Sequence, residues 1–181
     1  MQLVKAHRVV ADRYQRVLDD GPLPDGAILL QAERFLADSA DSAELAARAA
    51  PVGVLWPNNR KVADLAPHLE RLALVALSFP TFKDGRAYSQ ARQLREQFGF
   101  RGELRATGDV LRDQYLFLAR AGFDAFEVKK DADVAAFVNP PARYSVFYQP
   151  AGDARASALR RRLGERRDAG ASAGTLALAA E

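Results

Sequence analysis

Acids, arginines and glycines crowd between Phe79 and Gln114, in the order Asp84-Gly85-Arg86, Arg105, Gly108-Asp109 and Arg112-Asp113. Arginine presents a planar fork of N–H donors that matches two oxygens of an oxyanion. Backbone N–H groups at the start of a helix attract the same ligands. A carboxylate beside such arginines orients them or acts as a general base, and Asp84 and Asp109 are the catalytic candidates. Asn58, Arg86, Arg105, Gly108, Arg112, Asp113 and Lys129 are predicted to bind a small anion such as phosphate, sulfite or carboxylate. The same residues have a plainer reading. Asp84-Gly85 is also a turn, Asp109 is also a helix N-cap, and Arg105 can pair with Glu103 or Asp109.

The elements that must position these groups follow from periodicity. Val52–Trp56 is a short apolar run of strand formers. Val62–Leu72 has leucines at helical spacing, with Pro67 expected in a first turn. Leu72–Phe79 is continuously apolar, as a strand covered on both faces should be. Tyr88–Phe98 is an amphipathic helix with Gly99 as its C-cap. Then come a strand over Glu103–Thr107, a helix over Asp109–Ala121 ended by Gly122, a strand over Asp124–Val128 and a helix over Ala132–Val138. The class is α/β, with about four parallel βα units over 51–140. They form either a half-TIM-barrel-like unit or a small open parallel sheet, and the barrel-like form is preferred. In both, ligands bind in the loops beyond the carboxyl ends of the strands, where Asn58, Asp84, Arg86, Gly108 and Lys129 fall.

Residues 1–50 read as a β-containing N-terminal segment with apolar runs at Val9-Val10, Val17-Leu18 and Ala27–Leu30, followed by helix-forming composition. The expected α/β domain spans 1–150, and Val146–Tyr148 would add a late strand. Residues 151–181 read as a basic, alanine-rich helix and frayed tail. Trp56 and Phe79, Phe82, Phe98, Phe100, Phe117, Phe123 and Phe126 are expected in the core. Tyr88 is expected to pack on the helix face, and His68 to sit at the surface.

Composition narrows the chemistry. The chain has 181 residues and a net charge of +3, too little to argue for nucleic acid. It contains no cysteine, so it has no disulfide, cysteine nucleophile or cysteine-ligated iron–sulfur cluster of its own. No NAD, FAD, ATP or haem motif is legible. Neither a signal peptide nor a membrane span is seen, so a cytoplasmic location is expected. Open sheet edges in a half-barrel leave homodimerisation as a possibility.

The blocks FPTFKDGRAYSQARQLR, GELRATGDVLRDQ and RAGFDAF together resemble an uncharacterised bacterial family of about this length. The resemblance covers roughly residues 1–150 and fits more loosely at GVLWPNN. Members of that family are encoded beside the sulfite reductase hemoprotein and are described as oxidoreductases of sulfite reduction. The resemblance implies an accessory role in assimilatory sulfite reduction, with sulfite reductase or its electron donor as partner. The residues themselves leave two alternatives open: an independent enzyme for an anionic or phosphorylated substrate, and a homodimeric scaffold.

Overall fold

One eight-stranded sheet dominates the computed structural model, which describes residues 1–18, 20–41, 45, 47–140, 147, 148, 151 and 157–163. The strands are β1 (Gln2–Lys5), β2 (Arg8–Val10), β3 (Gln15–Val17), β4 (Ile28–Gln31), β5 (Val52–Trp56), β6 (Leu72–Phe79), β7 (Glu103–Gly108) and β8 (Ala125–Val128). Their spatial order is β2-β1-β8-β7-β6-β5-β4-β3. From β3 to β8 each neighbour is parallel, while β1 and β2 form an antiparallel edge. The parallel βα expectation therefore holds, with an addition. The short N-terminal runs are strands of the same sheet, which makes it mixed.

The alternating register divides the side chains into two faces. On the outer face, Val54, Val75, Leu77, Leu104 and Ala106 are buried beneath helices. These are α1 (Ala32–Asp41), α2 (Arg86–Arg92), α3 (Tyr115–Ala121) and α4 (Asp131–Val138). Small residues Ala87 and Ala91 let α2 approach the sheet closely, and Leu94 fills the core behind them. Burying a leucine of this kind contributes about 2 kcal/mol.

The inner face is different. Tyr14, Leu29, Leu74 and Ala76 make a small separate apolar cluster there, and charged groups fill the rest. Arg16 on β3 reaches Glu127 on β8 at 2.5 Å. Those strands stand five positions apart in the order. A flat sheet would separate them by about 24 Å. The sheet is therefore curled into a half-barrel, the preferred of the two expected forms.

Several local expectations are corrected. Val62–Arg71 is a 3-10 helix with Pro67 inside it. Proline lacks the donor and clashes with the preceding turn, so the segment does not settle into a regular α-helix. The helix expected from Asp109 begins later, as a 3-10 turn at Arg112–Gln114 that leads into α3. Gly108 accordingly ends β7 instead of opening a helix. Phe82 and Phe117 are exposed, at 48% and 64%, and are not core residues. Trp56 lies in the core, as expected, and is fully buried where only partial burial was expected. His68 is only half-exposed and packs edge-on against Phe35, with ring centroids 5.5 Å apart.

The chain divides into two units, Met1–Pro141 and Ala142–Glu181. In the second, Phe147 and Ser157 form an isolated parallel bridge and residues 158–163 are helical. Val146 of the expected late strand and the expected tail beyond 163 lie outside the described residues. Among the described residues, no helix is long and apolar enough to cross a membrane.

Candidate functional site

Two charged regions compete for the role of functional site. The first is the rim formed by loops at the carboxyl ends of β5 to β8. Asp84 lies in the loop after β6 and accepts hydrogen bonds from Arg86: Nη2 at 2.6 Å, Nε at 3.0 Å and the backbone N–H at 3.3 Å. These bonds hold its carboxyl well below the usual carboxylate range and outweigh the opposing effect of partial burial. The amide of Asn58, from the loop after β5, also favours the charged form without closing a hydrogen bond of normal geometry. Asn58, Asp84 and Arg86 are thus brought together. A carboxylate held so acidic is a weak proton acceptor at neutral pH.

Asp109 has a different task. Its Oδ2 accepts the N–H of Phe82 at 3.0 Å, tying the loop after β7 to the loop after β6. Gln114 Nε2 donates to the Phe82 carbonyl at 3.1 Å, so both backbone groups of Phe82 are held. The N–H of Asp109 donates to the Phe79 carbonyl at 2.8 Å. That close approach requires Gly108, whose φ is +97° and whose Cβ, if present, would lie 2.3 Å from the Phe79 oxygen. The bonds present the Phe82 ring to solvent, with Lys83 Nζ 5.7 Å from its centroid.

The remaining predicted residues scatter along the rim. Arg112 is exposed and stands 3.9 Å from Asp133. Asp113 acts at a distance on Tyr88, whose phenol is pushed up to about 12 by burial first and by the Asp113 charge second. Tyr88 packs edge-on against Phe79 at 5.2 Å, as its place on the helix face predicts. Lys129 is exposed in the loop after β8.

Arg105 is not on this rim. Its side chain enters the concave face and is 1% exposed. It bonds Glu103 at 2.7 Å, Asp12 at 2.7 Å and Glu127 at 3.1 Å. Burial disfavours the charged guanidinium, but hydrogen bonds and charge from Asp12 and Glu103 outweigh this and raise its pKa. Thr107 donates to Glu127, Arg16 also binds Glu127, and Lys5 binds Glu103 at 2.7 Å. Three cations thus meet three carboxylates. The Arg105 donors are occupied by protein carboxylates, so this second region reads as a clasp of the curled sheet. Sequence reasoning missed Asp12, Lys5, Arg16, Thr107 and Glu127. The period-two pattern of Glu103, Arg105 and Thr107 was the available signal.

Arg95, in the π-helical turn that extends α2, explains part of the arginine-rich block. It donates to the carbonyls of Phe100, Gly102 and Gly122 and pairs with Asp124 at 2.9 Å. It staples loops at the amino ends of β7 and β8, far along the strands from the rim.

Residues 53–159, more than half of the chain, match the profile of a family described as "Bacterial protein of unknown function (DUF934)", and the chain belongs to that family. No curated protein matches the chain.

Proposed function

We propose that this member of the bacterial family of unknown function is an accessory protein of assimilatory sulfite reduction. It docks through the carboxyl-end rim on sulfite reductase or on its electron donor. The resemblance carried by FPTFKDGRAYSQARQLR and GELRATGDVLRDQ supports the process. The observation that supports docking is Phe82: an aromatic side chain 48% exposed on a loop whose backbone is fixed from both sides. An exposed aromatic on a rigid platform loses little entropy when a partner covers it, and such residues anchor interfaces. Lys83 lies over the Phe82 ring, and Arg86 and Arg112 add exposed side chains to the same loops, which suits an acidic partner surface. With no cysteine in the chain, a cysteine-ligated iron–sulfur relay would belong to the partner.

Affinity capture of the tagged full chain from cells growing on sulfate tests this. A reductase component or its donor is expected to co-purify, and the Phe82→Ala/Lys83→Ala variant is expected to lose it. Deletion of the gene is expected to slow growth on sulfate but not on cysteine. Absence of any such component, together with unimpaired growth on sulfate, overturns the proposal.

A further inference from the structure

The two edges of the curled sheet differ. At one, Val17 of β3 is buried and Arg16 is tied to Glu127. At the other, every residue of β2 is exposed, Val9 at 50% and Val10 at 37%. Among the described residues, β2 pairs with β1 alone. It carries two adjacent β-branched residues, and no lysine, proline or bulge guards it. The edge is also held rigid. The turn between β1 and β2 is Ala6-His7, with φ of +48° and +60°. This is the primed turn whose twist suits a hairpin, formed here without glycine. His7 Nδ1 lies 3.4 Å from the Phe137 carbonyl and 3.5 Å from the Tyr115 hydroxyl, which pins the turn to α4 and α3. An edge fixed in advance loses little entropy on pairing.

Across so short a turn, Lys5 and Arg8 form the bonded pair. The alternation of the ladder then points the N–H and C=O of Val9 away from β1. Register places Arg8 and Val10 on the concave face, in the rows of Arg105 and Glu127. Asp12 is on that face too, because it bonds Arg105. The run Arg8-Val9-Val10-Ala11-Asp12 is therefore self-complementary. An antiparallel copy centred on Val10 sets Arg8 opposite Asp12 and Val9 opposite Ala11. Arg8 makes no ion pair among the described residues, and the Asp12 side chain is 31% exposed. Its Oδ2 accepts one bond, from Arg105, and so has a lone pair left. Beside Asp12 lies a depression of about 270 Å³, lined by Met1, Leu3, Val10 and Glu127 among others and by no cationic side chain. Apolar walls with carboxylates suit an arginine, whose stem is apolar and whose head is charged.

We infer that two copies of this chain pair through β2, antiparallel about a two-fold axis at Val10, with Arg8 of each copy set beside Asp12 of the other. The Val9 backbone groups of each copy bond to Ala11 of the other. An edge this short is at the small end of specific interfaces, so the dimer dissociates at roughly micromolar concentration.

Sedimentation velocity of the full chain, from about 1 to about 200 µM, tests this. The average mass is expected to rise from that of one chain to that of two. Val10→Lys and Val10→Glu each set like charges across the axis, and each is expected to stay monomeric. Their equimolar mixture is expected to recover the dimer, because opposite charges then face each other. Arg8→Glu is expected to weaken association by at least about tenfold. Thermal melting checks that each variant is folded. Should a Val10 variant fail to fold, Arg8→Glu, a fully exposed change, decides alone. A monomer at every concentration, a dimer unchanged in Val10→Lys or Arg8→Glu, or a mixture of folded Val10 variants that stays monomeric overturns the inference. Phe82→Ala/Lys83→Ala should dimerise as the wild type does, so this proposal and the docking rim fail separately.

Discussion

Arg105 and Arg86 both bind carboxylates, yet they sit in opposite environments. Arg105 is 1% exposed, and Glu103, Asp12 and Glu127 surround it. Arg86 has a side chain 58% exposed and one carboxylate, Asp84, as its partner. Burial decides what each can do. Inside the curled sheet, desolvated charges must be matched in place, and breaking the match is costly. On the rim, water already solvates the ions, and an exchange of partner costs little. The buried arginine therefore holds the fold, and the exposed one is available to a ligand or partner.

That contrast can be broken experimentally, and the largest effect belongs to the interior. Arg105→Ala leaves Glu103 and Glu127 buried without their shared cation. Urea unfolding is expected to show a loss of about 3–5 kcal/mol. A loss near zero would make the inner network dispensable. Gly108→Ala comes next. The positive φ and the 2.3 Å approach to the Phe79 oxygen predict a loss of about 1–3 kcal/mol by the same measurement.

Asp84→Asn should lower the unfolding midpoint by an amount that stays constant between pH 5 and pH 8. The sign follows from the lowered pKa. Asp84 contributes stability that is fully present above its ordinary value of 3.8 and fades as pH falls toward its folded value. Wild type and variant should thus differ by a constant amount above that value and converge in acid. A difference that changes near neutrality would mean that Asp84 titrates there and is a usable base. The smallest stability effect is expected from Phe82→Ala, which removes an exposed ring and should alter only partner capture.

Much of the scaffold between Val52 and Val138 was legible because β5 and β6 are continuous apolar runs and α2 and α3 show apolar stripes. The N-terminal strands were harder. Arg8–Val10 and Gln15–Val17 are three residues each, and their pairing is set by distant strands, not by local pattern. The antiparallel edge is a long-range fact for the same reason. The two misplaced phenylalanines share a simpler cause. Phe117 stands one position away from the buried Leu118 on α3, and Phe82 lies in a loop held by Asp109 and Gln114. Hydrophobicity alone does not reveal either.

The candidate site was legible in part. Asn58, Asp84 and Arg86 converge because the loops after β5 and β6 leave neighbouring strands at the same end of the sheet. Arg105 departs from them through strand parity, since it shares a face with Glu103 and Thr107. Asp109 was read as a helix cap, and the helix begins after it.

The central claim is that the rim, with Phe82 at its centre, is a docking surface. Titration of purified sulfite reductase and of its electron donor with the full chain, read by calorimetry, tests it most directly. Saturable association with one of them, lost in Phe82→Ala/Lys83→Ala while the melting temperature stays unchanged, is the predicted result. No association with either protein, or equal association of wild type and variant, would contradict the account.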